Sequence, residues 1–485
     1  MHKKSNKSGP SLKLNIILNG VKQLCAIFFP LITFPYVSRV LGSDGFGKYS
    51  FSNSIVGYFL LLAAMWISTY AIREGAKIRD QKEQLGKFCN QVFSINLCSA
   101  IESFVLLMIL IVSNEKILSY ASLIYVQSLA IFLNTLGTDW VNSIYEDYKY
   151  ITIRYIIIQL ISLLLVFCFV KSPDDVLPYC LICTFASAGG NLFNIIYVRR
   201  YVKIRFTFHM NIKRHILPML VLFINSIAVS VYVSSDITML GFFCGDTLVG
   251  VYSFATKIYT ILKQLVHAMI IVSIPRIAYV IKNQPEKYNR YMNMLFQGLT
   301  IVLLPIAVGT FCISENIVLF VGGIQYVSGS SSLRLLSIAL VFAIYSALFT
   351  NCVLIANGHE NKCLISTLIS AMVNISINLI LIPQIGLIGA AITTIIAEVI
   401  NFILQVYFSK DVYHWKKLDF KNTISCLVGC VGIFICCMLL KNITSSNLLN
   451  IIICVISSVT IYLLNLIVLK NYMVLETLNG NIGDR

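Results

Sequence analysis

In the stretch GSDGFGKY, Gly42, Gly47 and Lys48 stand where a phosphate-binding loop, G-x-x-x-x-G-K-[ST], carries its glycines and its lysine. The chemistry would be a cradle of backbone N–H groups for nucleotide phosphates, with a hydroxyl on magnesium. Tyr49 takes the hydroxyl position and Ser50 comes one residue late. Elsewhere, ionisable side chains stand inside apolar runs, where they are costly and mark the paths of substrates or ions. Asn15, Asn19, Lys22 and Gln23 share one helix face, and Lys257, Thr260, Lys263, Gln264 and His267 share another. Arg39 follows two prolines in FPYVSR, and its planar fork suits phosphate oxygens. Acidic groups are sparser: Glu102, Asp236 and Glu398. This excess of lysine over carboxylate favours an anionic substrate. Ser370, Asn374 and Asn378 form an i, i+4, i+8 stripe, and Thr394 and Glu398 a second; both read as hydrogen-bonding glue between helices. The CLIC run (180–183) has no second cysteine or histidine pair nearby, so no metal site and no catalytic residue is expected.

The elements that must position these residues are set by composition. Of 485 residues, 58% are hydrophobic and 12% charged, about half the charge of a soluble domain. The apolar residues come in blocks of about 20, enough to cross a hydrocarbon core of roughly 30 Å. The expected fold is an all-α polytopic membrane protein with about 14 transmembrane helices, since only helices and closed barrels survive in lipid. The predicted spans are 14–36, 49–71, 88–112, 118–137, 151–171, 176–197, 216–240, 249–273, 293–314, 332–356, 363–383, 387–408, 422–440 and 448–470. With a cytoplasmic N-terminus, 28 of the 37 Lys and Arg fall on the inner face and 6 on the outer. That asymmetry predicts N- and C-termini in the cytoplasm of a multi-pass protein of the cell (inner) membrane. The net charge of +16 then faces anionic lipid, and its dispersal over many loops excludes a nucleic-acid partner. The first apolar block reads as a true span and not as a cleavable signal. Because GSDGFGKY follows a span, on the outer face, it is not a nucleotide loop.

An internal repeat explains it better. LGSDGFGKYSF (41–51) and LGFFCGDTLVGVYSF (240–254) share Leu-Gly, a polar loop and Gly-x-Tyr-Ser-Phe, the second loop being four residues longer. Six spans separate the copies, so the halves share one membrane orientation, as in a parallel duplication. The expected organisation is an N-terminal lobe at 1–200 (spans 1–6), a C-terminal lobe at 201–410 (spans 7–12), and spans 13–14 with a cytoplasmic tail at 411–485.

LITFPYVSRVLGSDGFGKYSFSNSIVGYFLLLA resembles the start of the Wzx-type polysaccharide flippases, which translocate O-antigen and capsule repeat units. SSDITMLG, GVYSFATKI, DWVNSIYEDYKYITIR and ANGHENKCLISTLISAMVNISINLILIPQIGLIGAAITTIIAEV are similar to further stretches of that family. The resemblance implies the multidrug, oligosaccharidyl-lipid and polysaccharide exporter superfamily: two pseudo-symmetric six-helix lobes around a central cavity, plus two C-terminal helices. It implies a flippase for undecaprenyl-pyrophosphate-linked oligosaccharides, working by alternating access without a cofactor. Partners would be the lipid-linked substrate, membrane lipids, and polymerase and chain-length proteins of the same pathway. Lys22, Arg39, Lys48, Lys257 and Lys263 are the candidate pyrophosphate and cavity residues. Related lipid II flippases hold sodium among their seventh, eleventh and twelfth helices, so Asp236, Asn374, Asn378 and Thr394 are the candidates for a coupling sodium ion or proton. Asn378 stands where those relatives carry a second carboxylate.

Two other classes compete. A drug/cation antiporter of the same superfamily needs an acidic cavity, against which Lys22, Lys257 and Lys263 count. A membrane-embedded polysaccharide polymerase or ligase needs an extended outer catalytic loop. The longest outer segment, about 315–331, holds Glu315 and no histidine.

Overall fold

The computed structural model describes residues 12–65, 67–212, 234–413 and 420–478, with His215, Met219, Phe223 and Ser230. Among these residues there is no strand. Ten helices are long and apolar enough to cross a membrane, and Ala121–Gly137 is a shorter apolar helix. This is the architecture of a multi-pass helical membrane protein, in which every backbone group bonds within its own segment. The predicted span 216–240 lies mostly outside the described residues.

In two predicted helix pairs the partner helices follow each other directly, joined at a glycine of non-helical backbone. Span 14–36 and most of span 49–71 lie in Leu12–Ala64, which turns at Gly42 (φ 70°, ψ 178°); the end of the second span falls beyond a break at Met65 (φ 38°), in Ile67–Lys77. Spans 363–383 and 387–408 share Glu360–Ser409, which turns at Gly386 (φ 52°, ψ −123°). The first reversal is visible in its contacts. Thr152 Oγ1 donates to Leu18 O (3.2 Å) and Tyr36 OH to Val170 O (2.8 Å), so residues 18–36 run parallel to Tyr148–Phe169. Beyond Gly42, Ser103 Oγ donates to Phe59 O (2.6 Å) and Asn96 Nδ2 to Ala63 O (2.8 Å), antiparallel to Lys82–Ser113.

The structure corrects the alignment of the repeat. Gly245 (φ 90°, ψ 171°) repeats the conformation of Gly42, in a region of backbone space open almost exclusively to glycine. Gly241, matched to Gly42 by the Leu-Gly dipeptide, is inside a helix. The equivalent segments are GSDGFGKYSF and GDTLVGVYSF, 203 residues apart and of equal length.

The chain divides into two compact units, Met1–Ser234 and Ser235–Arg485. In the first unit DWVNSIYEDYKYITIR is broken chain: the short helix Asp139–Ile144 lies between Thr138 (φ 47°) and Glu146 (φ 57°). Asp147 then starts Tyr148–Phe169 and accepts from Tyr197 OH (2.6 Å) and Tyr201 OH (2.7 Å). The basic segment after Arg200 is pinned along Lys82–Ser113. Arg205 N donates to Asn90 Oδ1 and Thr207 N to Ser94 Oγ, both at 2.8 Å. In the second unit Phe420–Leu440 and Asn447–Val468 pack on Tyr288–Val321 through Cys312, Cys426, Cys430, Cys437, Cys454 and Tyr462. These cysteines are free and act as small apolar groups.

Candidate functional site

The second unit encloses a carboxylate in neutral donors. Asp236, 6% exposed, accepts from Asn378 Nδ2 (2.6 Å), Tyr252 OH (2.7 Å) and Thr394 Oγ1 (2.8 Å). Asn374 Oδ1 accepts from Ser235 Oγ (2.9 Å) and Asn378 Nδ2 (3.0 Å), and Thr393 Oγ1 donates to Asn378 Oδ1. Tyr252 reaches the carboxylate because the glycine turn at Gly245 starts its helix two turns earlier. Asn374 and Asn378 are one turn apart before Gly386, and Thr393 and Thr394 follow it, so the turn folds both halves of Glu360–Ser409 around Asp236. The candidate ion residues Asp236, Asn374, Asn378 and Thr394 are therefore brought together. The cage offers oxygen ligands with a single carboxylate. Among the described residues no group of three or more His, Cys, Asp or Glu side chains could hold a metal ion. Asp236 has no ion-pair partner there either, and the donors that meet it are neutral.

One turn beyond Thr394 on the same helix, Glu398 is buried and receives Lys263 Nζ at 3.1 Å and Tyr259 OH at 3.3 Å. Lys263 is a third exposed, and its ammonium also lies over the Tyr259 ring at 5.5 Å. It is thus not a bare cation, as the lysine face alone implied. It sits between a buried carboxylate and an open face on which Lys257, Thr260 and Gln264 are exposed. Glu398, read from its spacing as helix glue, is the counter-ion.

The other candidates scatter. Lys48 pairs with Asp44 one turn earlier at 2.7 Å, both half-exposed. Arg39 is exposed near the Gly42 turn. Lys22 is half-buried over the Tyr155 ring at 5.6 Å. Asn15 and Asn19 have side chains outside the described residues. Sequence reasoning missed Tyr252 and Tyr259, whose hydroxyls complete the two clusters. It also missed Arg154, 10% exposed, which binds Asp139 at 2.5 Å beside Lys22. A visible signal existed: Arg154 and Asp139 are one residue pair of opposite sign flanking a polar break in an apolar stretch.

With this geometry in hand, comparison with known proteins is decisive for the family. The family model described as "Polysaccharide biosynthesis protein" matches residues 12–281, more than half the chain. The chain belongs to this family. It is 26% identical over 284 residues to an Escherichia coli (strain K12) protein named for O-antigen transport, covering 56% of this chain and 66% of that one. It is 22% identical over 411 residues to the Staphylococcus aureus capsular polysaccharide biosynthesis protein CapF, covering 82% of this chain and 98% of CapF. The chain thus spans just under two thirds of the length of the E. coli relative. In fold it is similar to the lipid II flippase MurJ in an inward closed conformation, with a TM-score of 0.74 at 16% identity over 95% of this chain and 99% of that one. An inward-facing multidrug resistance MATE transporter of the MOP superfamily gives a TM-score of 0.59 at 13% identity, covering 82% of this chain and 97% of that one. The family agrees with the expected class, and the fold likeness with the expected all-helical fold.

Proposed function

We propose that this protein is a flippase that moves oligosaccharide repeat units, linked to undecaprenyl pyrophosphate, from the cytoplasmic to the outer leaflet. The product would feed O-antigen, capsule or exopolysaccharide synthesis, beside polymerase and chain-length proteins. The names of the E. coli and S. aureus relatives and the flippase fold support this reading. The observation that carries it is Lys263, a half-open lysine at membrane depth whose counter-ion is on a different helix. A cation held this way exchanges partners: the diphosphate displaces Glu398, and Glu398 reclaims the ammonium once the substrate leaves. The resting pair spares the protein an uncompensated buried charge, and hydrogen bonds to a charged group contribute roughly 1.5–3 kcal/mol to substrate binding. Lys257, on the same exposed face, adds positive potential. A drug/cation antiporter would place carboxylate, not lysine, on that face.

Asp236 supplies the coupling. A carboxylate buried among neutral donors is stabilised further by a proton or a monovalent cation. The oxygens of Asn374, Asn378 and Thr394 fit a hard cation such as sodium. Because Thr394 and Glu398 share one helix face, occupancy of the cage bears on how firmly Glu398 holds Lys263.

The test is complementation of a flippase-null strain with abundance checked by immunoblot. Lys263→Ala should reduce surface polysaccharide at least tenfold, while Lys263→Arg keeps a good part of it. Full polysaccharide from Lys263→Ala would overturn the assignment. Topology is tested separately: cysteines at positions 80 and 207 should label only from the cytoplasm, and one at 174 only from outside. Labelling of 80 and 174 from one side would sink the fourteen-span arrangement, and labelling of 80 and 207 from outside would refute the inner-face orientation of the termini.

A further inference from the structure

The first unit holds a partly enclosed cavity of about 270 Å³. Ser68, Asn96, Asn134, Asp139, Trp140 and Asn191 give its polar wall. Its place in the repeat is informative. Leu60 and Ala64, on the opposite wall, are 203 residues before Lys263 and His267 and occupy their positions after the glycine turn. Where the second unit carries charge, the first carries space.

The charge in and around this cavity selects against ions. Asp139 is neutralised by Arg154 at 2.5 Å, and Lys22 lies close enough to influence both. The one charged residue of the lining, Asp139, is already paired with Arg154, so the cavity offers an ion no free counter-charge. The wall is instead rich in neutral hydrogen-bonding groups. Asn191 Nδ2 donates to Asn134 Oδ1 (2.9 Å) and Asn96 Nδ2 to the carbonyl of Ala63 (2.8 Å), which fixes the three amides. Asn134 Nδ2, Asn191 Oδ1 and Asn96 Oδ1 make no hydrogen bond to a described residue. Asp139 Oδ1 and Trp140 Nε1 are buried and have no hydrogen-bond partner among the described residues. Buried groups of this kind call for a polar occupant. The lining combines these amide donors and acceptors with the apolar surfaces of Leu60, Ile131 and Trp140, a mixture that suits a pyranose, whose hydroxyls both donate and accept and whose C–H faces are apolar. The volume lies just under the roughly 300–1,000 Å³ of sites for drug-sized ligands, so it suits one ring and not an oligosaccharide.

We infer that this cavity binds one neutral sugar ring of the lipid-linked cargo. The inference rests on the flippase reading, and the test separates the two. The full-length protein in nanodiscs is titrated with two probes: undecaprenyl pyrophosphate without sugar, and the lipid-linked repeat unit extracted from a flippase-null strain. The native protein should bind the sugar-bearing carrier about tenfold more tightly than the bare one, a difference of about 1.4 kcal/mol. Asn134→Ala and Asn191→Ala should bring the two affinities within about twofold by weakening the sugar-bearing carrier alone. Ala64→Met, which fills the cavity and removes no hydrogen bond, should do the same and decides the matter if the asparagine variants are not recovered from membranes. Equal native affinities for the two carriers, or a preference that survives Ala64→Met, would overturn the sugar site and leave the flippase reading standing. No binding of either carrier by the native protein would overturn both.

Discussion

The two units start from the same glycine turn and the same Tyr-Ser-Phe, yet use them differently. After Gly245, Tyr252 bonds to buried Asp236, and two turns later Tyr259 and Lys263 meet Glu398. After Gly42, Tyr49 packs edge-on against Tyr179 at 4.7 Å, and the position of Lys263 is Leu60, facing a cavity. The position of Asp236 is Thr33, whose hydroxyl turns back to its own helix at Phe29 O (3.1 Å). A duplicated scaffold therefore keeps its turn, which the backbone demands, and diverges at positions that the turn merely presents. Charge and its counter-ions gather in one copy and neutral hydrogen-bonding space in the other.

The sharpest way to break this contrast is to remove charge from the second unit. Replacing Lys263 alone with Met leaves Glu398 buried and unpaired, which typically costs 3–5 kcal/mol, so membrane abundance should fall severalfold. The double variant Lys263→Met/Glu398→Met should restore abundance, because a buried pair exchanged for apolar groups is often neutral or stabilising. Surface polysaccharide should nonetheless stay absent. Restored polysaccharide in the double variant would make the pair purely structural.

A second, smaller effect separates shape from charge at the cage. Asp236→Ala strands the donors of Tyr252, Asn378 and Thr394, at about 1–3 kcal/mol for each group left unsatisfied, and should lower abundance. Asp236→Asn keeps the shape, and should fold normally while abolishing the dependence of transport on a sodium or proton gradient. Unchanged dependence would return Asp236 to a structural role.

In the first unit, Arg154→Met should lower abundance less than Lys263→Met does, because Asp139 is 42% exposed on its side chain and regains water, whereas Glu398 is 4% exposed. An equal or larger loss, measured by immunoblot, would show that the first unit depends on buried charge as the second does. Smallest and most alike should be the turns themselves. Gly42→Ala and Gly245→Ala each impose a backbone conformation costing about 1–3 kcal/mol. At Gly245 no atom lies within 4 Å of an added Cβ, so its penalty would be backbone strain alone. Thermal shifts of the two purified variants that differ widely would show that the copies do not share this strain.

Much of the fold was legible because hydropathy acts locally. The spans and the Gly42 turn follow from runs of apolar residues and one permissive residue. The register of the repeat was not, since the Leu-Gly dipeptide at 240–241 outweighed Gly245, and a dipeptide carries no φ angle. At the site, the polar stripe Ser370, Asn374, Asn378 showed which face mattered, but not that it surrounds Asp236. Tyr252 and Tyr259 were invisible as ligands because a tyrosine in an apolar helix is ordinarily core. Asn96, Asn134 and Asn191 stand on three different helices, each a lone amide that helix packing would explain. Their convergence is a property of the tertiary structure.

The helix Asp246–Asn283 has one further consequence. Its 38 residues reach about 57 Å at 1.5 Å per residue, nearly twice a hydrocarbon core of about 30 Å. Just past Pro275, Arg276 is clamped between the rings of Tyr279 and Tyr291, with its guanidinium donating to Tyr291 OH at 2.5 Å. The distal end of the helix is thereby fastened to Tyr288–Val321, while its proximal half carries Tyr252, Tyr259 and Lys263. Mechanically this is a lever: Arg276 lies 13 residues, about 20 Å, beyond Lys263, so a few degrees of tilt around the charged residues becomes about 1–2 Å of travel at the clamp. In the proposed cycle, the exchange of the Lys263 ammonium between Glu398 and a diphosphate would act on this same helix.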